Sequence, residues 1–157
     1  MLEDIIAGKL VNYSVFDTNH IYGTAPEDIG EYAIGPILSD SIDNLMTAGF
    51  KDFYPVFVVA RGEVYQKRLE QERMHFPDIA KRLVEAMGSL AFARMNVDAP
   101  WLNFVDTGDS DKEKEDAARD IIRTVNHNTH PIMTLGRKLQ LITEMENAVQ
   151  NIGSQLR

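Results

Sequence analysis

Cysteine is absent from this chain of 157 residues, which excludes disulfide stapling and thiolate chemistry and fits a reducing compartment. Long hydrophobic runs are absent too: none approaches the roughly 18 apolar residues that a membrane-spanning helix needs. Residues 1–4, Met-Leu-Glu-Asp, lack the basic start of a secretory signal. These absences set the expectation of a cytoplasmic protein with no membrane partner. Positive charge is scarce, 16 Lys and Arg against 24 Asp and Glu, for a formal net charge of −8. Such a balance argues against nucleic acid as a partner, because phosphate backbones are held by an excess of basic groups. The phosphate-cradling pattern G-x-x-x-x-G-K-[ST] occurs nowhere in the chain.

What is present is ordinary for a globular protein: 44% hydrophobic and 25% charged residues. The length suits one domain with a sizeable core. No internal repeat or low-complexity linker interrupts it. Residues 2–7 read as a short helix closed by Gly8. Residues 10–23 read as a hairpin around the turn Asp17-Thr18-Asn19. Pro26-Glu27-Asp28-Ile29 opens a short helix, and residues 40–50 form another. The continuous apolar run Val56–Ala60 reads as a strand buried on both faces of a parallel sheet. Helices are expected over 63–73 and over 77–95, the second with Ile79, Leu83, Met87 and Leu90 down one face.

Residues 101–105 read as a second strand, with Trp101 in the core. Ser110-Asp111-Lys112-Glu113 is a capping box, and Ala118, Ile121, Ile122 and Val125 give the next helix its inward stripe. A last helix over about 132–150 aligns Leu135, Leu139, Ile142, Met145 and Val149. Strands alternating with helices predict an α/β fold with a parallel sheet. His127-Asn128-Thr129-His130 has two imidazoles but ends in Pro131 and has no third ligand nearby, so it is read as a loop, and no metal site is expected. The acidic stretch 109–116 is read as a solvated helix start.

Tyr22-Gly23-Thr24 stands out within this frame. It places a phenol and a hydroxyl beside open backbone, groups suited to a small anionic ligand. Forty residues on, after the Val56–Ala60 strand, come Arg68-Leu69, Arg73 and Lys81-Arg82-Leu83, a local concentration of cations in an acidic chain. Together with residues 8–13, Ile37-Leu38-Ser39-Asp40 and Phe104-Val105-Asp106, and in this order, these segments resemble the guanylate kinase family over residues 2–125.

The resemblance implies a partial P-loop-kinase-like parallel sheet flanked by helices, a small hairpin-containing monophosphate-binding part, and an extra C-terminal helix over residues 126–157. It implies a nucleoside monophosphate, GMP foremost, as ligand. Tyr22 would bond its phosphate and Thr24 the guanine O6. Arg73 and Arg82 would be the catalytic pair touching the transferring phosphates, a task that a permanently charged, bidentate guanidinium suits. Asp40 or Asp43 would stand for the family's aspartate. A plainer reading makes the arginines a solvated helix face paired with Glu70, Glu72 and Glu85.

Intact relatives move the γ-phosphate of ATP to GMP with Mg²⁺. This chain departs from them in three places. Asn12 stands where the family reads guanine with a glutamate. The "D-x-Q-G" segment is missing. So are the phosphate loop and the "T-T-R-x-x-R" grip that precede the hairpin. The chain is therefore expected to begin partway through the family's domain, to lack an ATP site, to be inactive alone, and to associate with itself or a partner through surface left uncovered. The alternative expectation is a non-catalytic guanylate-kinase-like protein-interaction module.

Overall fold

The computed structural model describes residues 2–17, 20–28, 34–37, 39–47, 52–71, 76–127 and 133–155. The chain is mixed α/β and divides into two compact units, Met1–Phe53 and Tyr54–Arg157.

In the first unit, helix α1 (Leu2–Ile6) ends where Gly8 turns into the left-handed region at φ 64°. The amides of Ala7, Gly8 and Lys9 then close on the carbonyls of Glu3, Ile5 and Asp4 at 2.9, 3.0 and 2.9 Å, using carbonyls the helix leaves over. The hairpin follows as read. Strand β1 (Asn12–Asp17) pairs antiparallel with β2 (His20–Thr24), and the register shifts between Val15 and Asp17. Two 3-10 turns, Pro26–Asp28 and Ser39–Ser41, lead to helix α2 (Ile42–Thr47), which buries Ile42 and Leu45. The turn Ser39–Ser41 packs against β1, and Ser41 is buried.

The second unit is the larger. Strand β3 (Val56–Ala60) pairs parallel with β4 (Asn103–Thr107), from Val56 opposite Asn103 to Ala60 opposite Thr107. The link between them carries helices α3 (Gly62–Gln71) and α4 (Phe76–Met95). Parallel strands need such a crossover, since a tight turn cannot join their ends. Helix α5 (Asp111–His127) lies against β4; α6 (Leu135–Gln155) packs on α3, α4 and β3.

One hydrophobic core joins Leu69, Leu83, Leu90, Ala93, Leu102, Phe104, Ile142 and Val149. Phe57 and Phe104, opposite each other across the strands, meet with ring centroids 5.6 Å apart. The Lys138 ammonium lies 4.7 Å from the Phe104 centroid and donates to the Val97 carbonyl at 3.1 Å, so α6 reaches the sheet with a cation as well as apolar groups.

Four details differ from the sequence reading. Val58 is 49% exposed, so the β3 run is not covered on both faces; among the described residues β3 pairs with β4 alone, and the sheet has two strands. On α4, Leu83 and Leu90 are buried with Ala93, but Met87 is 37% exposed. On α5 the inward face only partly follows the apolar stripe. Ala117 and Thr124 are buried and Ile121 is half-buried, while Ala118, Ile122 and Val125 are exposed. Thr124 tolerates burial because its hydroxyl donates to the Asp120 carbonyl at 3.0 Å. On α6, Leu141, Ile142, Ala148 and Val149 face the core and Leu135 is half exposed.

The sequence boundary at 125/126 separates α6 from the rest, whereas α6 shares the core of Tyr54–Arg157 with α3 and α4. Among the described residues no helix is long and apolar enough to cross a membrane.

Candidate functional site

The hairpin brings three of the expected site positions together. Its register sets Asn12 opposite Thr24 and Ser14 opposite Tyr22. Strand alternation then places positions 12, 22 and 24 on one face of the ribbon, with Thr24 partly buried. Asp40 lies in the 3-10 turn Ser39–Ser41, which packs on β1. Asp43, its rival, is exposed on α2. All four leading positions thus belong to Met1–Phe53.

The two expected catalytic arginines belong to the other unit. Arg82 is exposed on α4, and Arg73 lies outside the described residues.

In Tyr54–Arg157 the chemistry collects at the carboxyl ends of β3 and β4, where open parallel sheets receive their ligands. Arg61 follows β3 and sends its Nη2 to Glu113 Oε1 at 2.5 Å. Arg68 Nη2 donates to the Gly108 carbonyl at 2.7 Å, and the Lys67 ammonium pairs with Asp109. The capping box forms as its spacing predicts. Glu113 Oε2 accepts from the Ser110 amide at 3.0 Å and the Ser110 hydroxyl at 2.7 Å, while the Glu113 amide reaches Ser110 Oγ at 3.3 Å. The Arg61–Glu113 pair was not legible in the sequence. The box marks Glu113, but nothing local says that its second oxygen crosses to the neighbouring strand end. Lys67 and Arg68 on α3 are thus held by the loop after β4.

These strand ends do not fit a bound triphosphate. A methyl group on Gly62, the first residue of α3, would stand 2.5 Å from the Glu144 carbonyl oxygen, so the backbone of α6 already occupies that position. A methyl group on Gly108, before α5, would stand 2.0 Å from Glu113 Cδ. The anion at the amino end of α5 is therefore the protein's own carboxylate, held by an amide, a hydroxyl and a guanidinium. No step involving ATP or Mg²⁺ is derived from these residues.

A second polar pair links the sheet to α6. Arg137 Nη2 bonds Asp106 Oδ2 at 2.7 Å, while Asp106 Oδ1 is buried with no partner among the described residues. Among the described residues no cluster of three or more His, Cys, Asp or Glu is arranged to hold a metal ion. Of the two-histidine segment, His127 ends α5 and residues 128–132 lie outside the described residues.

The network predicts an acid response. Ser110 first, and Arg61 with it, hold the Glu113 carboxyl below its ordinary range; Lys67 does the same for Asp109. A depressed folded-state pKa adds stability that is complete above the unfolded pKa and lost as pH falls through the folded one. Urea midpoints of the full chain should thus hold steady down to about pH 5 and fall below about pH 4. Glu113→Gln should show a shallower fall; an identical acid profile would remove Glu113 from the effect.

No protein-family model, curated protein or solved structure matches the chain.

Proposed function

We propose that this chain is a guanylate-kinase-like domain that binds a nucleoside monophosphate, GMP foremost, and does not transfer phosphate by itself. The observation that carries the reading is the hairpin register, which sets position 12 opposite position 24 and position 14 opposite position 22. Tyr22 bonds the phosphate, Thr24 the base, and Asn12 offers an amide where a base-reading carboxylate would stand. Asp40 completes the monophosphate side.

Isothermal titration with GMP tests this. Tyr22→Phe should weaken binding by one hydrogen bond, about 0.5–1.5 kcal/mol. Asn12 lacks the charge that would favour the guanine N–H groups, so GMP should exceed AMP only slightly. Equal affinity for wild type and Tyr22→Phe would take Tyr22 out of the site. A coupled ADP-release assay should show no turnover with ATP and GMP. Turnover well above background that Arg82→Ala abolishes would overturn the non-catalytic part of the proposal.

A second reading, a module of the same family kept for protein interaction, is favoured by the strand ends, where the α6 backbone stands close against Gly62 and the Glu113 carboxylate against Gly108. It is the reading to adopt if no monophosphate binds.

A further inference from the structure

We draw no further inference here: the strongest candidate, the open apolar groove between α4 and α6 lined by Leu83, Val84, Met87, Val149 and Gly153, is an unpartnered face, and nothing in the structure shows what covers it.

Discussion

Replacing Ile142 with aspartate is expected to unfold the Tyr54–Arg157 unit, not to separate one subunit from another. The apolar stripe of α6 could serve as a cover over its own core or as a seam between chains. The burial pattern decides for the cover. Leu141 and Ile142 are fully buried, Val149 nearly so, and Ile142 shares one cluster with Leu69, Leu90 and Phe104 from three other elements.

Truncating such a residue to alanine costs about 2–5 kcal/mol. Aspartate adds the cost of a buried, unpaired charge. Against a typical total of about 5–15 kcal/mol, that is most of the stability of the unit. Phe104→Ala, which removes the ring at the centre of the same cluster, should cost about 3–5 kcal/mol and remain measurable. Urea unfolding followed by the single tryptophan, Trp101, reports this unit directly, because the ring lies against Phe92 with centroids 6.1 Å apart. A soluble Ile142→Asp protein that unfolds cooperatively and runs smaller than wild type would show α6 to be a seam after all.

The elements were legible where local chemistry decides them. Gly8 after an apolar turn, the Asp17-Thr18-Asn19 corner, the apolar run Val56–Ala60 and the Ser110–Glu113 box each carry their own geometry. The structure follows all of them closely, apart from the corner itself, of which residues 18 and 19 lie outside the described residues.

The faces of the helices were less legible. In α5 the apolar residues Ala118, Ile121, Ile122 and Val125 suggested the inward side, yet of these only Ile121 is half-buried, and the buried positions are small Ala117 and the self-satisfied Thr124. A helix close to a β-strand has room for a methyl or a hydroxyl where an isoleucine would not fit. That space is a property of the partner and is not written in the helix. The same reason hid the strand-end network. Arg61 and Glu113 lie 52 positions apart, and their bond exists because the parallel register of β3 and β4 brings the two strand ends side by side. The hairpin positions, by contrast, were close in sequence, and a two-strand register follows from the turn alone.

The most discriminating result should come from two alanines placed at two glycines that begin or precede helices. Gly62→Ala and Gly108→Ala each add one methyl group. Helix propensity alone favours the first, by up to about 1 kcal/mol, because alanine loses less backbone freedom than glycine. The surroundings reverse that sign. At Gly62 the new carbon would meet the Glu144 carbonyl oxygen at 2.5 Å, the Glu144 carbonyl carbon at 3.1 Å and Ala148 Cβ at 3.2 Å.

Two of those three atoms are backbone, and neighbouring Leu141, Ile142 and Val149 hold α6 in the core. The helix can yield only by loosening that packing, so Gly62→Ala should destabilise by about 1–3 kcal/mol despite its better propensity. At Gly108 the nearest atoms are the carboxyl group of Glu113, the end of a flexible side chain. It can swing aside, at the loss of its bonds to Ser110 and Arg61. Gly108→Ala should therefore cost less than Gly62→Ala, and its cost should largely vanish when Glu113 is already alanine, because the methyl then displaces nothing. Gly62→Ala has no such rescue, since the obstacle is main chain. Urea midpoints of the four proteins, Gly62→Ala, Gly108→Ala, Glu113→Ala and the Gly108→Ala, Glu113→Ala pair, measure both statements. If Gly62→Ala proves as stable as wild type, α6 does not close over the end of β3, and that position is open to a ligand.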